Sequence, residues 1–170
     1  MESAANTLVL EALRHNTWAT KRLLEFCRSL RGDQLASAGV GTYGGILATF
    51  HHIIRADAGY VSRIIGVPRS ALASSESADF DVHDKAVDET ARLWEQYLAQ
   101  PVDADQLLIL DEGAYEAPAS VLVAQALHHG NAHREQVCSI LTGLGFEPPD
   151  VQAWAWADAT GRGHERTPDR

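Results

Sequence analysis

Apolar positions along this chain recur at three- and four-residue steps in four long stretches, the period of helices with one buried face. Leu10, Leu13, Thr17, Leu24 and Cys27 mark the first, expected from about Ser3 to Leu30 and ended by Gly32. Ile46, Phe50, Ile53, Val61 and Ile64 mark the second, expected from about Gly44 to Ile65 and closed by Gly66 and Pro68. The segment from Val67 to Phe80 is rich in Ser, Ala and Asp without a period, so it reads as a connection across one end of a bundle. A third helix is expected from about Asp81 to Ala99, stopped by Pro101. The fourth is expected from about Ala119 to Leu144, broken by Pro148 and Pro149. Between Gln106 and Pro118 two short runs flank Asp111-Glu112-Gly113, the pattern of a hairpin. Pro149 or Asp150 opens a short terminal helix with Trp154 and Trp156, and residues 161–170 read as a polar, frayed tail. The pattern predicts an all-α four-helix bundle over residues 1–160, with a short hairpin before the fourth helix and a short helix at its C-terminus.

The fourth stretch breaks its own rule. Its inward stripe runs Leu122, Ala126, His129, His133, Val137 and Ile140, so two imidazoles occupy positions that would ordinarily be apolar. At 3.6 residues per turn, i and i+4 share a face, and two ring nitrogens can converge on one cation. His128 falls on a more polar flank, toward solvent.

A third imidazole is available on the second helix, where His51 and His52 lie on opposite flanks of the apolar stripe. Gly45, Ala48, Thr49, Ala56 and Gly59 surround His52 with small side chains, leaving room for an ion and a facing helix. His51 has Arg55 at i+4, and a guanidinium beside a dication is unfavourable. His52, His129 and His133 are therefore the expected ligands. A lone helical histidine more often packs against a carbonyl, but two stacked on one inward stripe bury polar nitrogens that need partners. Glu is absent after His129, so the HExxH pattern of zinc proteases is not met.

Three neutral imidazoles suit Zn, Ni, Fe or Co, and with no fourth protein ligand a position stays open for water or substrate. An ion there lowers the pKa of water or of a thiol. Asp57, Asn131, Glu135 and Gln136 are the candidates to accept the second ring N–H of each ligand. Tyr43 and Tyr60 are candidates for the pocket mouth. His15, His83 and His164 stand among polar neighbours and read as surface groups. Cys27 and Cys138 lack metal-knuckle spacing and read as packed thiols. Of the tryptophans, Trp154 and Trp156 cannot share a face, so one is expected at the surface or in a dimer contact.

Composition narrows the function. The chain has 170 residues, 45% hydrophobic and 22% charged, ordinary values for one globular domain. A net charge of -9 with no basic cluster argues against nucleic acid as partner. No apolar run approaches the roughly 18 to 20 residues of a membrane span, and no basic-then-apolar leader opens the chain. A cytoplasmic protein with no membrane partner is the expectation.

Several segments together resemble the DinB/YfiT superfamily of metal-binding helical bundles. They are His15-Asn16-Thr17-Trp18-Ala19, Gly44-Gly45-Ile46-Leu47-Ala48-Thr49-Phe50-His51-His52-Ile53, His129-Gly130-Asn131-Ala132-His133-Arg134-Glu135-Gln136 and Leu144-Gly145-Phe146-Glu147-Pro148-Pro149-Asp150. Asp57 follows His52 by five positions, as an acidic residue often does in that family, which again favours His52. Glu135 stands where the family often has glycine. The resemblance implies an up-down-down-up bundle, a divalent ion on His52, His129 and His133 with Zn or Ni expected, and a homodimer. It also implies transfer of a low-molecular-weight thiol such as bacillithiol or mycothiol to, or isomerisation of, an electrophilic small-molecule substrate. A metal-assisted hydrolase and a non-enzymatic metal-binding stress-response protein are the alternatives.

Overall fold

The computed structural model describes residues 4–163. Its long helices are α1 (Ala4–Cys27), α3 (Ile46–Ile65), α4 (Phe80–Leu98) and α5 (Ala119–Gly143). A one-turn α2 (Gly32–Leu35) and a short α6 (Ala153–Ala159) flank them, and β1 (Leu107–Leu110) pairs antiparallel with β2 (Tyr115–Pro118) as the expected hairpin. The boundaries follow the sequence pattern closely, with three differences: α1 stops at Cys27, the pattern does not show α2, and α6 begins at Ala153 and not at Pro149 or Asp150. The expected start at Ser3 lies outside the described residues, as do His164 and residues 164–170 of the tail.

Side-chain pairs fix the direction of each helix. Arg14–Glu95, Lys21–Asp88 and Arg28–Asp81 run up α1 and down α4, so those two are antiparallel. Phe50 meets Phe80 and Asp57 meets Trp94, which makes α3 and α4 parallel. Asn16 meets Arg134 and Phe26 meets Phe146, aligning α1 with α5. The bundle is thus up-down-down-up.

Parallel α3 and α4 require the chain between them to return along the helix length. Residues 67–79 do not cross the bundle end, as the sequence suggested, but run back along the flank of α3. Arg69 lies over Gly59, and the Ser77 carbonyl accepts from His51 Nε2 at 2.8 Å. At the start of α3 the backbone of Gly45 bridges to Ala38, and a Cβ on Gly45 would stand 2.6 Å from the Ala36 carbonyl oxygen. Only glycine permits that approach.

The core has two apolar regions, one around Leu23, Leu24, Phe50, Ile53, Val137 and Leu141, the other around Leu10, Leu13, Val61, Trp94, Leu98 and Leu122. Asn16, Thr90 and Arg134 fall between them in sequence on α1, α4 and α5, and Thr20 and Asp57 stand within the first region on α1 and α3. Arg134 is 2% exposed and gives Nη1 to Asn16 Oδ1 at 2.6 Å and to Thr20 Oγ1 at 3.2 Å. Asn16 Nδ2 in turn donates to Asp57 Oδ2 at 3.3 Å, and Trp94 Nε1 donates to Asp57 Oδ1 at 3.0 Å. Arg134 Nε has no partner among the described residues, but the remaining bonds of the layer offset its burial and fix one helix register against the others.

Two histidines expected at the surface are not there. His83 is 1% exposed, its ring 4.9 Å from His51 and 5.9 Å from Phe80. It belongs to the buried register Phe80, His83, Val87, Thr90, Trp94, Leu98 of α4. His15 is half-buried, bonded through Nε2 to the Val151 carbonyl at 2.9 Å and packed against Trp156. Trp154 is 81% exposed, whereas Trp156 is covered by Arg162, whose guanidinium also pairs with Glu11. The chain is therefore anchored as far as Arg162, beyond where fraying was expected. Cys27 is buried and Cys138 half-buried, both free.

Candidate metal centre

Facing turns of antiparallel α3 and α5 bring His52, His129 and His133 together. One potential ligand atom from each lies within 4.8 Å of the others, so the cluster could hold a metal ion. The Nε2 atoms of His52 and His129 stand 2.8 Å apart, and the ring of His133 is 4.4 Å from that of His129 and 4.7 Å from that of His52. His128, one residue away, is exposed, and His51 turns away to Ser77.

The environment favours neutral rings. Burial, then the charges of His133, His52 and His128, pull the pKa of His129 down to about 4. Burial, then His133 and Arg55, hold His52 below its usual value. His133 is oriented by Gln136, whose Oε1 lies 2.9 Å from His133 Nδ1. A carbonyl oxygen only accepts, so Nδ1 carries the proton of the neutral ring and Nε2 keeps its lone pair. The same Oε1 accepts from the Tyr43 backbone N–H at 2.9 Å, the contact that fixes the amide orientation.

Tyr43 covers the cluster. Its ring stacks on His52 at 3.9 Å and meets His133 edge-on at 5.7 Å, while more than half of the residue stays exposed. Tyr60 presents its edge to His129 at 6.0 Å on the other side. Beside His52 a cavity of about 240 Å³ is lined by Tyr43, His51, His52, Arg55 and Glu76. A second, of about 330 Å³, lies beyond Tyr60 under the hairpin. A third, of about 300 Å³, between α1 and α4 is walled by Leu10, Leu13, Trp18 and Trp94, with Arg14 paired to Glu95 at its rim. Thr17, Lys21 and Ala91 complete its lining, and none of the three histidines reaches it.

Of the four expected partners for the histidines, only Gln136 reaches one. Asn131 and Glu135 are exposed. Asp57 points into the polar layer, where burial raises its pKa to about 6 against the opposing effects of the Trp94 hydrogen bond and the Arg134 charge. Arg134 is a member of this layer that the histidine pattern does not point to. Its pKa falls to about 10 through burial, with Asp57 acting to raise it. A signal for it existed in Gly130, one turn earlier, where a Cβ would collide with Asn16 Oδ1 and lie 2.9 Å from Arg134 Nη1.

The family model of the DinB family matches residues 1–167. The chain belongs to the DinB family. No curated protein matches it. In this DinB-family chain the three imidazoles form a donor set of borderline nitrogen ligands with no carboxylate or thiolate in the cluster, suited to a divalent transition metal. No helix among the described residues is long and apolar enough to cross a membrane.

Proposed function

We propose that this DinB-family protein is a metal-dependent enzyme in which His52, His129 and His133 hold one divalent ion, Zn or Ni. Its reaction transfers a low-molecular-weight thiol to an electrophilic small molecule, or isomerises such a molecule with the thiol's help. The observation that carries this reading is the convergence of three imidazoles, with no fourth ligand among the described residues. A structural zinc site closes with four protein ligands, whereas a reactive one leaves a position open. When bound, the ion would lower the pKa of a thiol or water beside it and supply a nucleophile at neutral pH.

The chain's own residues would prepare that site. Gln136 holds the His133 ring in one tautomer and ties it to the loop bearing Tyr43. Tyr43 shields His52 from bulk water on one side, and the adjacent cavity offers space for an organic ligand. Chelator-stripped protein, reloaded with Zn or Ni and supplied with a thiol and a chromogenic electrophile, tests the reading. Turnover should need both metal and thiol and should vanish in His129→Ala. Turnover with water alone would favour a metal-assisted hydrolase. Metal uptake that leaves no position for an added thiol would favour a binding protein.

A further inference from the structure

A ridge of three arginines leads away from the histidine cluster along α3, from Arg55 in the cavity beside His52 to Arg63 in the cavity beyond Tyr60. Arg55 lines the same cavity as His52, and Arg63 follows eight residues along α3, about 12 Å farther along its axis. Arg69, on the returning segment 67–79, completes it. The guanidinium Nη1 atoms of Arg63 and Arg69 lie 3.2 Å and 3.4 Å from the point where a Cβ on Gly59 would stand. The missing side chain at Gly59 lets both groups settle over one spot on the helix. Among the described residues Arg63 Nη1 bonds only the Gly59 carbonyl, at 3.3 Å, and Arg69 Nε bonds Ser74 Oγ at 3.1 Å.

Among the described residues none of the three has a carboxylate within ion-pair distance, in a chain carrying 23 acidic and 14 basic groups. Glu76 and Asp111 line the neighbouring cavities but pair with none of them. Like charges gathered without a counterion repel one another, and the cost is relieved by an anion. Burial, followed by the charges of Arg55 and Arg63, lowers the pKa of Arg69, in keeping with that crowding. Guanidinium groups bind carboxylates through paired N–H donors.

We propose that Arg55, Arg63 and Arg69 form a carboxylate-binding subsite, so that the organic ligand brought to His52, His129 and His133 is an anion bearing at least one carboxylate. This rests on the reading of the histidine cluster as a metal centre for a small-molecule ligand. The carboxylate would sit on the arginine ridge while the reactive end of the molecule points to the histidines.

The test compares mercaptosuccinate with 2-mercaptoethanol on cobalt-loaded protein, reading the thiolate-to-cobalt absorption band. A second arm titrates succinate into metal-free protein and follows the backbone amide resonances of Gly59 and Arg63. Mercaptosuccinate should bind about tenfold more tightly than 2-mercaptoethanol. The double variant R63Q/R69Q should lose that preference with unchanged affinity for 2-mercaptoethanol, and succinate should move the two amides in wild type only. A preference absent from wild type, or retained in R63Q/R69Q, overturns the subsite. If cobalt is not taken up, the metal reading fails separately, and the succinate arm still decides for or against the arginines.

Discussion

Gln136 and His133 are joined one turn apart on α5 by a 2.9 Å hydrogen bond in which Nδ1 of the imidazole donates to the amide oxygen. Partners of this kind set ring orientation and basicity, and their loss typically costs about 10- to 100-fold in metal affinity. Gln136→Leu should therefore weaken Zn affinity by about that factor in chelator competition, while the helical circular-dichroism signal stays unchanged. An unaltered affinity would show that His133 needs no such clamp.

Asn16 links the two charges of the buried layer, accepting from Arg134 and donating to Asp57. Removing it leaves the guanidinium without its shortest partner and the carboxylate with one donor fewer. Asn16→Ala should lower unfolding stability by about 2–4 kcal/mol in urea denaturation. A loss below about 0.5 kcal/mol, the level of an ordinary surface substitution, would mean that the layer does not hold the helices.

Gly130→Ala sets helix propensity against packing. Alanine should gain about 1 kcal/mol in a helix interior, but its Cβ would press on Asn16 and Arg134. Overpacking costs about 1–3 kcal/mol, so net destabilisation is expected, read as a lowered Tm. A raised Tm would show that Asn16 and Arg134 can give way.

Acid should weaken the metal-free fold through buried His83 and half-buried His129. His129 titrates near 4 in the folded chain against an ordinary value of 6.5, and burial, then the charge of His51, lowers His83 also. A pKa depressed by folding means that the neutral ring favours the native state. That contribution is complete above about 6.5 and is lost as pH falls toward about 4. Asp57, raised from 3.8 to about 6, runs the opposite way and gains stability over the same descent. Urea unfolding of chelator-treated protein from pH 7 to 4 should give a shallower loss for His83→Leu and for His129→Asn than for wild type. Parallel profiles would contradict the burial of those charges.

Much of this was legible in the sequence because periodicity reports which side of a helix is buried. The stripe through His129 and His133 and the small-residue strip around His52 located the cluster. The electrostatic reason for preferring His52 to His51 did not hold, since the charge of Arg55 acts on His52 itself. The polar neighbours Asp81 and Asp84 suggest a surface site for His83, but its three- and four-residue steps from Phe80 and Val87 place it inward. Arg134 stands four residues after Gly130 and three before Val137 on the buried face of α5, but the contacts with Asn16 and Thr20 that make a guanidinium tolerable there lie on another helix, where a one-dimensional pattern does not reach. The course of residues 67–79 was misread for a related reason. Only the parallel arrangement of α3 and α4 makes that segment run back along α3.

The most direct test is the metal content of protein purified without chelator, measured by elemental analysis on wild type and His129→Ala. Three converging imidazoles predict about one divalent transition-metal ion per chain in the wild type and a large loss in the variant. Wild-type protein with only trace metal, or a variant that keeps its full complement, would contradict the account.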